Sequence, residues 1–456
     1  MPNYDLILNN GRVVMPGGEV VPCNIGVKNG KISTLSTEKL EVGVGREINC
    51  ENKTIIPGLV DQHFHSWWGY GVETHEIATR AAAKGGVTTI VEMPLDKPAT
   101  LTSTLLHEKL KKIGNQYHVD YAAIGGYIGE DPEEMHRMVE AGVVAIKIFT
   151  GDVAPPGMFQ GTYDGELLDL MKRVKQDDVA LMVHCENSGI VEIETSHVKA
   201  AGKQGPVAWH EARPPVAELE AVQRIATIAK ATGARVIIVH ISTPEAVDVI
   251  TAARRDGVDI WAETLPHQLC LSLETNQNDA RLKWNPPVRP KDAVDGLWKR
   301  FAAGEIHSIA SDHAPLTKIR GADIWSQNPG AGNVLETMLP VVATEAIHLR
   351  GIGLARIVEA MCATPARLLG IYPRKGAIMV GSDADLVVLE MNGHRVIDEN
   401  SLEFYDQNSK WSPYHNKEVK VYPVQTILRG QVIYDNGEIT GRLGFGEYVT
   451  KSSNKQ

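Results

Sequence analysis

The chain has 456 residues, 43% of them hydrophobic and 22% charged, which is typical of a globular protein with one large domain and a smaller one. Its formal net charge of −10 argues against nucleic acid or an anionic membrane as the main partner. No apolar run approaches the roughly 18 residues of a membrane span, no leader-like segment is present, and the five cysteines are scattered, so we expect a cytoplasmic protein with reduced thiols.

Residues 1–54 are predicted to be β-rich. YDLILNNGRVV and NIGVKNGKISTL are short β-rich runs interrupted by Asn-Gly, a dipeptide typical of hairpin turns. Residues 371–456 repeat the pattern in ADLVVLEMNG and PVQTILRGQVIYDNGEI. We predict that these two terminal segments pair into a small β-sandwich, and that the polar tail from Thr450 is frayed.

Residues 55–370 alternate apolar runs with amphipathic segments, among them PPVAELEAVQRIATIAKATG and TPEAVDVITAARRDG. Eight such β-α units predict an α/β fold with a (β/α)8 barrel, like that of triosephosphate isomerase. The predicted barrel strands are Ile55–His65, Gly86–Pro94, His118–Tyr127, Val143–Phe149, Val179–Glu186, Ala234–Ser242, Asp259–His267 and His307–Pro315.

Polar side chains of metal-binding type stand at or near the ends of five of these strands, and the ends of barrel strands form the active-site face. His63 and His65 are two apart, so they point to one face of their strand and can grip one ion. A lone histidine at a strand end is usually structural, but six convergent polar residues are hard to explain by core packing. The six predicted ligands of two divalent metals are His63, His65, Lys147, His184, His240 and Asp312.

Lys147 is the unusual member of this set, because an ammonium cannot bind a cation and would be a buried charge within AIKIF. If CO2 adds to its amine, the carbamate is an anion with two oxygens that can bridge two metals. Apolar flanks favour this by lowering the pKa of the lysine. The alternative is an ordinary salt-bridged barrel lysine.

The chain resembles the cyclic amidohydrolases of the amidohydrolase superfamily, which include allantoinases, hydantoinases, dihydropyrimidinases and dihydroorotases. The resemblance covers nearly the whole chain and rests on PGLVDQHFH, AAAKGGVTTIVEMP, AIKIFT, VHCE, VHIST, AETLPHQL, PPVR, SDHAP and GSDADLVVLE. It implies a barrel beside a β-sandwich made of both chain ends, and hydrolytic opening of a cyclic amide or ureide ring.

The resemblance also implies roles for the six residues. His63, His65 and Asp312 would bind the more buried metal, His184 and His240 the outer one, and N6-carboxylated Lys147 would bridge them. Asp312 would be the catalytic residue that carries a proton from the attacking water to the leaving ring nitrogen. These ligands suit zinc best, although cobalt, manganese, iron or nickel are alternatives, and family members are commonly homotetramers or homodimers.

Substrate-binding candidates follow from the same resemblance. Asn285, just before PPVR, could hydrogen-bond the ring or simply cap a turn, and Gly330 belongs to a loop whose backbone binds the ring in the family. Trp67 and Trp68 replace the stretch usual in allantoinases and could form an apolar wall, or an ordinary loop or oligomer contact. The tyrosine that lies five residues after the bridging lysine in dihydropyrimidinases is here Asp152, which weakens that alternative.

Other polar residues are given lesser roles. His267 could line the pocket, whereas His75, His210 and His313 are expected to be structural or on the surface; Glu186 and Glu263 are candidates to orient the metal ligands. The rival of another class is a non-catalytic scaffold of the dihydropyrimidinase-like type. Such scaffolds lose metal ligands, whereas all six positions are filled here.

Overall fold

The computed structural model describes residues 3–41, 45–66, 69–129, 131–152, 161–276, 278–330, 332–404 and 410–452. Trp67 and Trp68, which were predicted to contact substrate, lie outside these ranges. Within them no helix is long and apolar enough to cross a membrane.

The strands alternate with helices through the middle of the chain and cluster at its two ends. They are β1 (Leu6–Val14), β2 (Val20–Lys28), β3 (Lys31–Ser36), β4 (Arg46–Asn49), β5 (Thr54–Pro57), β6 (Leu59–Phe64), β7 (Val87–Glu92), β8 (Asp120–Gly126), β9 (Ala145–Phe149), β10 (Ala180–His184), β11 (Val236–Ile238), β12 (Ile260–Thr264), β13 (Ser308–Ile309), β14 (Leu386–Glu390), β15 (Arg395–Val396), β16 (Glu418–Val419), β17 (Tyr422–Leu428), β18 (Gln431–Asp435) and β19 (Glu438–Ile439).

The helices are α1 (His75–Lys84), α2 (Ser103–Ile113), α3 (Pro132–Glu140), α4 (Asp164–Gln176), α5 (Ser188–Ala200), α6 (Gly205–Ala212), α7 (Pro215–Thr232), α8 (Pro244–Arg255), α9 (Pro266–Cys270), α10 (Leu273–Asn276), α11 (Lys291–Ala302), α12 (Met338–Thr344), α13 (Leu354–Val358) and α14 (Thr364–Leu368). Short 3-10 turns cover Ala280–Leu282 and Glu399–Ser401, and π-helical turns cover Glu345–Leu349 and Glu359–Ala363.

The predicted barrel is confirmed. Strands β6 to β13 form one parallel sheet in chain order, and a parallel bridge between Phe64 and His313 links its first strand to the segment after its last. The barrel strands are buried on both faces, as expected for a parallel sheet covered by helices, and that is why they read in sequence as apolar runs.

The chain ends meet in one nine-stranded sheet, in the order β19-β18-β17-β14-β5-β1-β2-β3, with β4 paired to β1. Part of one predicted barrel strand belongs to this sheet, because the predicted strand Ile55–His65 divides at Gly58. Its first part, β5, pairs with β1 and β14, and its second part, β6, pairs with β7. A single apolar run therefore crosses from one sheet into the other.

The two amphipathic segments named in the sequence form helices α7 and α8. α8 begins at Pro244 after Thr243, and Gly257 follows its end with φ of 84°. α7 begins with Pro215 at its first turn and ends on Gly233, whose φ of 72° is left-handed. Helix α7 buries Ala221, Val222 and Ile225 in the hydrophobic core that it shares with the barrel strands.

Candidate metal centre

All six predicted ligands line one cleft at the carboxyl ends of the barrel strands. His63 lies in β6 and His65 directly follows it; Lys147 is in β9 and His184 is the last residue of β10. His240 and Asp312 follow β11 and β13. The register pairs Phe149 with His184, and strand side chains alternate, so Lys147, Phe149 and His184 point into the same space.

His63, His65 and Asp312 lie close enough together that they could hold one ion. The Nε2 atoms of His63 and His65 lie 3.3 and 3.1 Å from Oδ1 of Asp312, and the ligand atoms of the three residues lie within 4.8 Å of one another. Ligands at about 2.1 Å around a tetrahedral metal are about 3.4 Å apart. The spacing therefore fits a metal held between these three side chains.

His184 and His240 form the neighbouring pair, with ring centroids 4.5 Å apart. Nε2 of His184 is 2.7 Å from Oε2 of Glu186, so Nδ1 is the nitrogen that remains for a metal. Nδ1 of His240 is buried and meets no hydrogen-bond partner among the described residues. Burial lowers the pKa of both imidazoles, which favours the neutral form that binds metals.

Lys147 is almost fully buried, and its Nζ lies over the ring of Phe149, 5.0 Å from the centroid. Burial lowers the pKa of its ammonium to about 8, and the carboxylates of Asp312 and Glu263 oppose that shift only in part. A lysine in this state holds a useful fraction of free amine near neutral pH. This is the condition that a carbamate needs in order to form.

His240 and Asp312 both have a left-handed backbone, with φ of 44° and 45°. This conformation is uncommon for residues other than glycine and is usually maintained only where the surroundings enforce it. Here the backbone of His240 is held by a hydrogen bond from its N–H to Oε1 of Glu263 (3.2 Å). The strain at these two predicted ligand positions is consistent with a preformed site.

Two buried glutamates orient the histidines, as the sequence predicted. Glu263 accepts from Nδ1 of His63 at 2.8 Å, which leaves Nε2 of His63 for the cleft. Glu186 contacts His184 and is also bound by both nitrogens of the Arg213 fork, at 3.0 and 2.6 Å. Arg213 was not predicted, because a pairing across 27 residues leaves no local signal.

The remaining lining of the cleft is mostly apolar. Its side chains are contributed by four different segments and were not identified from the sequence: Leu95, Phe149, Trp284, Ala314 and Leu316. Leu95, Phe149 and Ala314 pack together as a small buried cluster. A group attached to a substrate ring would therefore meet hydrocarbon on this side of the cleft.

Asn285 and Gly330 also line the cleft, alongside Pro329. Oδ1 of Asn285 is buried without a hydrogen-bond partner in the part of the chain that the structure describes. The carbonyl of Gly330 accepts from Nε1 of Trp284 at 2.8 Å, and its N–H donates to the carbonyl of Lys283 at 3.2 Å. Asn285 thus has unused hydrogen-bonding capacity, whereas the backbone of Gly330 is largely occupied.

The other predicted histidines lie outside the cleft lining. His267 was a candidate to line the pocket, but it is buried behind the wall, with its ring 4.1 Å from that of Trp284. His75 pairs with Glu92 (2.9 Å), and His313 pairs with Glu73 (2.8 Å). His210 lies 3.1 Å from Arg289. These four histidines contact other side chains of the protein and do not line the cleft.

Comparisons with known proteins agree with this arrangement. The family model described as "Amidohydrolase family" matches residues 54–432 of the chain. The chain is 34% identical to an L-hydantoinase of Paenarthrobacter aurescens over 98% of each protein, and 32% identical to an allantoinase of Escherichia coli over 95% of this chain and 96% of that one.

Solved structures give the same result. The L-hydantoinase (dihydropyrimidinase) from Arthrobacter aurescens superposes with a TM-score of 0.93 at 34% identity, over 98% of this chain and all of the other. A dihydropyrimidinase from Brevibacillus agri superposes with a TM-score of 0.90 at 25% identity, over 98% of both chains. Because the family match covers most of the chain and relatives above 30% identity cover nearly all of it, the chain belongs to the amidohydrolase family.

Proposed function

We propose that this protein opens the ring of a cyclic amide or ureide by hydrolysis of a C–N bond, with two divalent metals in the cleft. The observation that carries the proposal is the convergence of His63, His65, Lys147, His184, His240 and Asp312 on one cleft. The allantoinase and hydantoinase relatives support the same reaction class. Filled ligand positions argue against a non-catalytic scaffold.

The residues fit the metals in number and in donor chemistry. His63, His65 and Asp312 would hold one ion, His184 and His240 the other, and Lys147 as its N6-carboxylate would join them. When bound, the metals would activate water for attack and polarise the amide carbonyl. Zinc is the metal that these ligands suit best, with CO2 needed to carboxylate Lys147.

Asp312 has the position for moving the proton. Its carboxylate faces the cleft, and although burial opposes this, the neighbouring His63 and His65 hold the pKa of Asp312 below its usual range. It can accept the proton of the attacking water and deliver it to the ring nitrogen as the C–N bond breaks. Asn285 would hydrogen-bond the ring, since its amide can both donate and accept.

The apolar wall of the cleft, which is formed by Leu95, Phe149, Trp284, Ala314 and Leu316, favours a ring with a hydrocarbon substituent. Leu95, Phe149 and Leu316 offer no hydrogen bonds, so the polar ureido group of allantoin would lose its water there without replacement. A 5-substituted hydantoin would instead bury hydrocarbon.

We further propose, on the family resemblance, that the protein is a cytoplasmic homotetramer or homodimer.

The substrate preference is tested by ring-opening assays. Metal-loaded, bicarbonate-treated protein is assayed on 5-benzylhydantoin, allantoin and dihydrouracil at equal concentrations. We expect the highest kcat/KM on the benzyl compound. A clear preference for allantoin would refute the role of the wall while leaving the reaction class intact.

A further inference from the structure

Lys318 is a buried lysine in the loop that follows the last barrel strand. Only 8% of its surface is exposed, and in the described structure its ammonium contacts carbonyl oxygens and no carboxylate. Nζ donates to the carbonyl of Lys283 at 3.1 Å and to that of Asn328 at 2.7 Å. Burial lowers the pKa of this amine well below its usual range. An apolar side chain of similar length would occupy this place at a smaller desolvation cost.

The two carbonyls that accept from Lys318 belong to residues that directly precede parts of the cleft lining. Lys283 immediately precedes Trp284 and Asn285, and Asn328 immediately precedes Pro329 and Gly330. Each pair lines the cleft, although the two pairs come from different loops. One ammonium therefore joins the two segments that carry the predicted ring contacts.

Further hydrogen bonds join the same two segments, a contact called the junction below. The carbonyl of Lys283 accepts from the N–H of Gly330 (3.2 Å) as well as from Lys318, and Nε1 of Trp284 donates to the carbonyl of Gly330 (2.8 Å). The carbonyl of Trp284 in turn accepts from Nε1 of Trp209 at 2.8 Å. These bonds set the distance between the Trp284 wall and the Gly330 edge.

The loop also closes on itself. The amide of Asn328 donates to the carbonyl of Thr317 (2.9 Å), and Oε1 of Gln327 accepts from the N–H of Ile319 (3.0 Å). These contacts keep residues 317–328 compact but do not connect them to the Asn285 segment. Two ammonium groups connect the loop to that segment: Nζ of Lys283 donates to the carbonyl of Trp325 at 3.1 Å, and Nζ of Lys318 donates to the carbonyl of Lys283 at 3.1 Å. Of the two, Lys318 is the one that also holds Asn328, directly before Pro329 and Gly330.

We propose that Lys318 is a positioning residue that fixes the substrate-binding edge of the cleft, by tying the Pro329–Gly330 segment to the Trp284–Asn285 segment. This inference rests on the proposed function, since the edge is taken to contact the ring. Lys318 lies outside the predicted ligand set, so its loss should weaken substrate binding and leave the metals and the chemical step in place.

The test compares Lys318→Met, which keeps the stem but removes the donors, with Lys299→Met, which changes an exposed lysine on α11. We expect Lys318→Met to raise KM about tenfold, with kcat within about threefold and unchanged metal content, which is the pattern of lost binding. Lys299→Met should match wild type. Hydrogen exchange followed by mass spectrometry should show faster exchange over residues 317–330 in Lys318→Met alone.

An unchanged KM together with unchanged exchange would overturn the proposal, and so would a fall in kcat accompanied by loss of metal. If Lys318→Met does not fold, Trp284→Phe removes the indole donor to Gly330 while keeping an aromatic ring, and it should raise KM in the same way. A wild-type protein that opens no cyclic amide would contradict the proposed function, whereas the exchange measurement would still test the junction.

Discussion

At the scale of single residues, the proposed metal centre depends first on Lys147. Its burial and the lowered pKa of its amine, about 8, are what a carbamate requires, and the same burial would be costly for a permanent ammonium. Lys147→Ala should lose most of the bound metal, and activity should fall at least a hundredfold. Short carboxylic acids such as propionate should restore part of both, measured by metal analysis and turnover.

Lys172→Ala, on an exposed face of α4, is the matched control for that substitution and should retain metal and activity. Full activity of Lys147→Ala with no added acid would refute a bridging role.

Asp312 is expected to contribute more to proton movement than to metal affinity. Asp312→Asn keeps one ligand oxygen but cannot accept the proton, so kcat should fall by more than about a hundredfold while much of the metal remains. Turnover within about tenfold of wild type would show that another group carries the proton.

Glu186 is expected to hold His184 through its buried contacts with that ring and with Arg213. Glu186→Gln should weaken metal affinity by about ten- to a hundredfold, the range seen when partners of metal ligands are removed. Titration with a competing chelator measures this directly. Unaltered affinity would mean that the barrel alone orients His184.

At the scale of elements, the sequence predicted the strands better than the loops. Strands such as β9 and β10 are buried on both faces, and an apolar run followed by a polar residue marks both the strand and its functional end. The division of Ile55–His65 into β5 and β6 had no such signal, because residues 54–57 are as apolar as a barrel strand although they pair with β1 and β14.

Site residues, like strands, could be predicted only where the sequence carries a local signal. His63, Lys147 and Asp312 could be found because their spacing to a strand end is local. Trp284, Arg213 and Lys318 could not, because their importance comes from partners 27 to 46 residues away. Contacts between loops are set by the folded barrel and not by local patterns in the chain.

The end of α7 offers a test at this scale. Gly233 ends the helix with φ of 72°, where a Cβ costs about 1–2 kcal/mol, while the space around it is open apart from Lys175 at 3.8 Å. Gly233→Ala should destabilise the protein by about 1 kcal/mol in urea unfolding, with kcat unchanged. Gly165→Ala, in the first turn of α4 with nothing within 4 Å, is the control and should be neutral or slightly stabilising. Equal effects would refute the strain argument.

At the scale of the whole molecule, a buried ion cluster joins the barrel to the terminal sheet. Nζ of Lys375 lies 2.5 Å from Asp120, which begins β8, and 3.0 and 2.7 Å from Asp383 and Asp385, which precede β14. Arg429, between β17 and β18, also binds Asp120. The three carboxylates are close enough to suggest a metal site, but the lysine already supplies their cation.

Removing that lysine should damage the junction. Lys375→Met leaves three buried carboxylates without their shared partner, a change that typically costs about 3–5 kcal/mol. The urea midpoint should fall strongly, whereas Lys299→Met should leave it unchanged. A Lys375→Met midpoint equal to wild type would show that the cluster contributes little.

The same cluster should make stability depend on acid pH. Burial alone would raise the pKa of Asp383, but Lys375 and Lys31 lower it from 3.8 to about 2. A carboxyl whose pKa is lower in the folded state stabilises the fold above its unfolded pKa, and that stability is lost as pH falls from about 4 to about 2. Asp383→Asn should flatten the fall in urea midpoint over this range; an unchanged slope would assign the effect to other groups.

The central claim is that a two-metal centre in this barrel opens cyclic amides. The most direct measurement is ring opening of 5-benzylhydantoin, allantoin and dihydrouracil, with metal content determined on the same sample, before and after chelation. We predict about two metals per chain and turnover of at least one compound that is lost on chelation and recovered on reloading. Two bound metals with no turnover of any of the three, or turnover that survives complete removal of metal, would contradict the account.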